Sequence, residues 1–261
     1  MKYFDYDTAA KRYAKGRPFF HPLVIQKIAQ FTQVVQFDKA IDVCCGTGLS
    51  TVALKAIAHS IVGTDQSQEM MDHAPQDSSI TYLCCPAEQL DVFHGSFDLM
   101  TVALGFHWLD RPRFMREAYR VLRESAWLVI YQNGFSGSMR DNAEYKRWND
   151  ERYLARYPTP ARNHSPFTKV DAAAYGFDFN FSENYSNEVK FTVEELACYL
   201  STQSNTIASI ESGRESAEEA MAWLMSELGP MFRNERETFP FGGSIWYLNK
   251  LTAQKGALAR S

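Results

Sequence analysis

Five short apolar runs alternate with turns and helix-forming stretches through the first 130 residues. This rhythm restricts the chain to a parallel sheet with crossover helices. The runs are Ala40–Cys44, Ser60–Thr64, Ile80–Cys84, Phe97–Ala103 and Trp127–Tyr131. Between the fourth and fifth, Phe114, Ala118, Val121 and Leu122 recur at i, i+4, i+7, i+8, which makes Arg111–Arg123 an amphipathic helix. Asp110 stands at its N-cap and Pro112 in its first turn, both suited to those places.

At 261 residues the chain has length for one or two domains at about 150 residues each. Its 45% hydrophobic and 22% charged residues exclude wholesale disorder. A net charge of −4 argues against the basic footprint that nucleic-acid binding needs. No stretch approaches the roughly 18 apolar residues of a membrane span, and Met1–Lys15 lacks the apolar run of about 7–15 residues that follows the charges of a signal peptide. Cys44-Cys45, Cys84-Cys85 and Cys198 lack C-x-x-C spacing, so a reduced, cytoplasmic protein without a metal site is expected. The paired cysteines read as small residues packed at crowded strand ends.

After Tyr131 the rhythm changes. Gln132–Asn180 is polar and rich in aromatics, with a charged helix expected over Asn142–Arg156. Glu183–Phe191 reads as a strand. Thr192 and Glu195 form a capping box for a helix Val193–Leu200. Ser216–Leu228 is a further helix and Phe241–Leu251 a last strand. The expected organisation is a core over 1–131, an insert over 132–182, and the rest of the sheet over 183–261, with further helices at about 202–240.

The first strand ends in Asp42-Val43-Cys44-Cys45-Gly46-Thr47-Gly48 and opens a helix expected over Leu49–Ala58. Small residues there let a ligand approach the backbone, and the helix start offers unpaired N–H groups. Thr51 stands where G-x-G-x-x-G would need its third glycine, so dinucleotide binding fits poorly. No G-x-x-x-x-G-K-[ST] motif occurs. Asp65 closes the second strand, where a carboxylate can accept hydrogen bonds from both hydroxyls of a ribose. A nucleoside ligand without a pyrophosphate follows.

Taken in order along the chain, these segments resemble the class I S-adenosylmethionine-dependent methyltransferases of small-molecule type, which include the methyltransferase type 11 and trans-aconitate methyltransferase-like proteins. The matching pieces are Tyr13-x-x-x-Arg17-Pro18, Ile41–Gly48, Val62–Met71, Ala87-Glu88-Gln89-Leu90, Ser96–Leu99, Phe106-His107-Trp108, Arg120-Val121-Leu122, and Phe191–Leu196 with Tyr199–Ser204. The resemblance implies an α/β, Rossmann-like doubly wound sheet of seven strands, the last antiparallel, with a helical cap inserted after the fifth strand. It implies S-adenosylmethionine as cofactor. Asp42, Cys44, Cys45, Gly46 and Gly48 would surround its methionine part and Asp65 its ribose. Gln66, Met70, Ala87 and Glu88 would border the adenine, and Ala103 and Leu104 the methionine through their backbone. Tyr13 and Arg17 lie in the segment that similar proteins fold over the cofactor, where an arginine fork suits a carboxylate.

Three positions depart from the family pattern. Cys44 replaces a first glycine, Pro86 an adenine-reading aspartate, and Ser125-Ala126 a Pro-Gly-Gly turn. Methyl transfer chiefly demands alignment, so a catalytic side chain is not obligatory. If the acceptor needs a base, His107, after the fourth strand, is the candidate, with Tyr6 a second residue to line the pocket. His21 has no supporting context. The aromatics of the insert favour a planar or apolar acceptor, whereas Arg147, Arg152, Arg156, Arg162 and Arg214 favour a carboxylated one. Both stay open. The expected activity is methyl transfer to oxygen or nitrogen of a small molecule by a monomer or homodimer, with neither nucleic acid nor membrane as partner. The alternatives are a non-catalytic binder of the cofactor or its demethylated product and, less consistent with the loop, a nicotinamide-dependent oxidoreductase.

Overall fold

The structure is a computed structural model that describes residues 7–159 and 166–252; Tyr6 and Arg162 lie outside them. Its first half contains α1 (Asp7–Gly16), α2 (His21–Thr32), β1 (Phe37–Val43), α3 (Leu49–Ala53), β2 (Ala58–Asp65), α4 (Gln68–Met71), β3 (Ile80–Cys84), β4 (Phe97–Ala103), α5 (Arg111–Val121) and β5 (Leu122–Tyr131). There follow β6 (Gly134–Phe135), α6 (Ala143–Trp148), α7 (Leu154–Arg156), α8 (Lys169–Ala174), β7 (Phe177–Phe191), α9 (Val193–Ser201), α10 (Ser204–Glu211), α11 (Ala217–Leu228) and β8 (Glu237–Lys250). The chain divides into two compact units. The larger comprises 20–132, 166–184 and 244–252, and the smaller 7–19, 133–159 and 185–243, so β7 and β8 contribute to both.

In the larger unit the strands run β3-β2-β1-β4-β5-β8, with β7 on β8. β1 to β5 are parallel and β8 is antiparallel to β5, in the register Trp127↔Asn249 to Tyr131↔Ile245. The strand order reverses between β1 and β4. That reversal opens a crevice at their carboxyl ends, the usual ligand position in open α/β sheets. β4 is buried at every residue, as a strand covered on both faces must be. Ile41, Met100, Val102, Phe114, Ala118, Leu128 and Leu248 share one core with Phe177 and Phe179.

Several sequence boundaries shift, each for a pairing reason. The helix expected over Leu49–Ala58 ends at Ala53 and tightens into a 3₁₀ turn at Leu54–Ala56, because Ala58 already pairs with Phe37. The helix expected to Arg123 stops at Val121, since Leu122 joins β5 opposite Phe97. β7 begins at Phe177 rather than Glu183, where buried Phe177 and Phe179 alternate with exposed Asp178 and Asn180 in strand period. The strands number eight among the described residues, the short β6 being the addition to the seven expected.

The smaller unit packs a second core of Tyr145, Trp148, Tyr153, Tyr199, Leu200, Leu224, Phe239 and Phe241. Gly16 of α1 lies against the Cys198 carbonyl of α9; a Cβ there would stand 2.9 Å from it. The charged helix over 142–156 continues through a π turn at Asn149–Tyr153, which aims the Tyr153 hydroxyl at Thr206 and the Leu200 carbonyl. Thr192–Glu195 forms its capping box, and Ser216–Glu219 forms another. Among the described residues no helix is long and apolar enough to cross a membrane.

Candidate active site

The crevice of the larger unit is built on one fully buried carboxylate. Asp42, near the end of β1, accepts hydrogen bonds from Ser50 (2.6 Å), Thr51 (2.7 Å) and Thr101 (2.7 Å). Burial raises its pKa, and the three hydroxyls oppose that rise. Through them Asp42 ties the start of α3 and the middle of β4 to the root of the loop.

Above it the backbone turns through left-handed conformations at Cys44 (φ 61°), Gly46 (φ 55°) and Gly48 (φ 77°). Gly48 permits no side chain, because a Cβ would stand 2.6 Å from the Tyr82 hydroxyl and 2.9 Å from Ala74 Cβ. Cys44 is a non-glycine residue in the left-handed region, a conformation that costs about 1–2 kcal/mol for an L-residue. Its Cβ and Sγ lie against Gly105, where a side chain would meet them at 2.6 and 2.9 Å. The thiols of Cys44 and Cys45 are pushed well above the ordinary value, first by burial and then by the carboxylates of Asp42 and Asp65. Both are protonated at neutral pH and poor nucleophiles.

Asp65 is fixed by two backbone donors, Gly46 N–H and Ser67 N–H, each at 2.9 Å. The helix after β2 is capped by the Ser67 hydroxyl, which accepts from Met70 N–H. These two contacts set the plane of the carboxylate. Met70 reaches Gly46, its Cε 3.2 Å from where a Cβ would be. Cys85 N–H donates to the Asp65 carbonyl and sets the approach to Ala87 and Glu88, while Cys84 Sγ donates to the Gln66 carbonyl. Glu88 accepts Asp110 N–H at 2.9 Å, so one of its oxygens is committed to the segment after Trp108. Leu104, also left-handed (φ 59°), donates its N–H to the Tyr131 carbonyl.

Asp42, Cys44, Cys45, Gly46, Gly48, Asp65, Gln66, Met70, Ala87, Glu88, Ala103 and Leu104 thus stand along one carboxyl edge of the sheet. His107 follows in a 3₁₀ turn, its ring 4.7 Å from that of Trp108. Tyr13 and Arg17 belong to the smaller unit. There the Arg17 guanidinium lies over the rings of Tyr13 (4.4 Å) and Tyr199 (5.4 Å) and donates to the Thr202 carbonyl.

Sequence reasoning named Thr47 only as part of the loop and missed the role of His21. Thr47 lies inside the loop at 3% exposure, its hydroxyl buried and without a partner among the described residues. His21, at the start of α2, is hydrogen-bonded through Nδ1 to the Tyr131 hydroxyl at 2.9 Å. Thr47 was legible as part of the loop. The His21–Tyr131 pair joins residues 110 apart, and no local pattern announces it.

Residues 41–130 match the family model described as a methyltransferase domain. A Dictyostelium discoideum protein named as a methyltransferase is 26% identical over 214 residues, covering 80% of each chain. A solved structure from Anaeromyxobacter dehalogenans, named as a type II methyltransferase, shares the fold at a TM-score of 0.67 and 20% identity, over 90% of this chain and 97% of that one. Phosphoethanolamine N-methyltransferase 2 of Haemonchus contortus, solved with phosphomonomethylethanolamine and S-adenosylhomocysteine, matches at a TM-score of 0.54 and 16% identity, over 97% of this chain and 61% of that one. The reversed strand order, the left-handed loop over a buried carboxylate and the family match spanning both agree: residues 41–130 of the chain form a methyltransferase domain.

Proposed function

We propose that the protein transfers a methyl group from S-adenosylmethionine to an oxygen or nitrogen of a small-molecule acceptor. The observation that carries this reading is the pairing of the loop with Asp65, whose carboxylate is held by Gly46 N–H and Ser67 N–H beside a backbone free of side chains at Gly46 and Gly48. The partnerless buried hydroxyl of Thr47 supports it, since a buried hydroxyl without a bond costs roughly 1–3 kcal/mol and a ligand atom would relieve it. The cofactor, when bound, supplies an activated methyl on a sulfonium. Asp65 would take the ribose hydroxyls, Gln66, Met70, Ala87 and Glu88 the adenine, and the Asp42–Gly48 turn with Ala103 and Leu104 the methionine part.

Arg17 and Tyr13 are proposed for the methionine carboxylate. Among the described residues Arg17 contacts a carbonyl and two rings but no carboxylate, and its Nε is buried without a partner. His107 is proposed to take the acceptor's proton. Five free thiols fit a reducing compartment and a cytoplasmic place of work.

The test is a thermal melt with S-adenosylhomocysteine. At 100 times its dissociation constant, linkage gives about 2.7 kcal/mol of stabilisation, roughly 5–10 °C for a chain of this size. The shift is expected to vanish in Asp65→Ala. A wild-type protein that does not shift refutes the reading.

A further inference from the structure

In the smaller unit the Arg17 cation has no carboxylate partner among the described residues. Its guanidinium lies over the rings of Tyr13 (4.4 Å) and Tyr199 (5.4 Å). Nη2 donates to the Thr202 carbonyl at 2.6 Å, whereas Nε is buried and finds no acceptor among the described residues. Neither ring balances the charge. Burial pushes the Tyr199 phenol up to about 12, so it stays neutral beside the guanidinium at physiological pH. A partly buried cation with an unused N–H is costly unless an anion completes it.

A second unused donor stands close by. Thr202 is followed by Gln203, whose side chain adjoins the hydroxyl of Tyr199, the ring that Arg17 covers. Gln203 is the N-cap of α10, yet its side chain makes no capping bond, and its Nε2 is buried without a partner among the described residues. The backbone fixes both groups. Thr202 N–H and Gln203 N–H close the end of α9 onto the Tyr199 and Leu200 carbonyls, and the Thr202 carbonyl holds Arg17. Both side chains keep partial exposure, which leaves an approach from solvent. Water would satisfy the two N–H groups but would leave the charge uncompensated. One charge and one neutral amide match a monoanionic carboxylate better than a phosphate dianion.

We propose that Arg17 and Gln203 together form a carboxylate-binding site in the smaller unit, the guanidinium supplying the charge and the amide a neutral donor that fixes how the carboxylate faces. For its ligand this rests on the methyltransferase reading above, in which Arg17 takes the methionine carboxylate, and it adds Gln203 as a second binding residue. One carboxylate oxygen accepts from Arg17 Nε–H and the other from Gln203 Nε2–H, while Nη2 keeps its bond to Thr202. No proton moves and no covalent bond forms. The carboxylate comes from one of two sources, the methionine end of the cofactor or an acidic acceptor.

The test measures dissociation constants by calorimetry on the full chain for S-adenosylhomocysteine and for 5′-methylthioadenosine, which carries the same thionucleoside but no carboxylate. Melts with benzoate and with succinate, against sodium chloride of equal ionic strength, cover the second source. Gln203→Leu removes the amide at similar size, and Gln203→Glu keeps its shape but sets a negative charge beside the ligand. With the cofactor as source, both variants and Arg17→Met weaken S-adenosylhomocysteine about tenfold or more, with methylthioadenosine within about twofold of wild type. With the acceptor as source, S-adenosylhomocysteine binding is unchanged, and the wild-type rise in Tm with benzoate or succinate disappears in all three. Either pattern supports the site. A Gln203→Leu protein that binds S-adenosylhomocysteine within about twofold of wild type and answers the carboxylates as wild type does overturns it. So does an equal weakening of both nucleosides, which marks Gln203 as structural. A wild-type protein that binds neither nucleoside defeats the proposed function instead, and the site then stands or falls on the carboxylate melts.

Discussion

Acidification from pH 7 to pH 5 tests the burial of His21 directly. The unfolded chain protonates this imidazole near 6.5, whereas burial lowers its pKa in the folded protein to about 3. Between those values the unfolded state binds a proton that the folded state refuses, so stability rises with pH across the window and is lost as pH falls. At about 1.4 kcal/mol per pH unit, and allowing for partial protonation at pH 7, the fall to pH 5 removes about 2 kcal/mol through this one residue. For a chain of this length that is roughly 4–8 °C in Tm. The assay is a pair of melts, wild type and His21→Asn, at both pH values. Asparagine keeps a partner for Tyr131 but cannot titrate, and every other group titrates alike in the two proteins. The variant should therefore lose about 2 kcal/mol less than wild type over this interval. Equal losses would mean that the imidazole charges freely in the folded protein, and the argument for its burial would fail.

Other consequences are equally direct. Thr101→Val removes one of three hydroxyls from the buried Asp42 carboxylate and should cost about 1.5–3 kcal/mol, read as a lower urea midpoint at unchanged m-value. Gly48→Ala must hold φ near 77° with its Cβ against Ala74 and the Tyr82 hydroxyl. It should lose at least about 1–2 kcal/mol and the S-adenosylhomocysteine melting shift together; a variant that keeps both would disprove the steric account of the loop. Among the thiols, exposed Cys84 should react first with a disulfide reagent, while buried Cys44 and Cys45 stay silent until unfolding, as counted by released chromophore.

Local patterns carried much of this structure. β3 and β4 coincide with their apolar runs, and the Thr192 and Ser216 caps stand where side-chain chemistry puts them. Pairing decided what patterns could not. Phe177 and Phe179 reveal β7 only once β8 lies beside them, and Leu122 leaves its helix because Phe97 needs a strand partner. α2 passed unnoticed because His21-Pro22 looks like loop. In the candidate site the loop and Asp65 were legible because both lie in one βαβ unit. The Thr101 bond to Asp42 and the Tyr131 bond to His21 were not, since each links distant segments through the completed sheet.

The contact between Cys44 and Gly105 makes two positions share the volume of one side chain. Their substitutions should therefore be interdependent. Alanine at 105 has no room beside Cys44, yet the room appears once Cys44 becomes glycine, which also relieves the left-handed strain at 44. A double-mutant cycle should return a coupling within the roughly 0.5–3 kcal/mol seen for touching residues, in the rescuing direction. In a diverging lineage the order of events would then be constrained, with the change at 44 having to come before any change at 105.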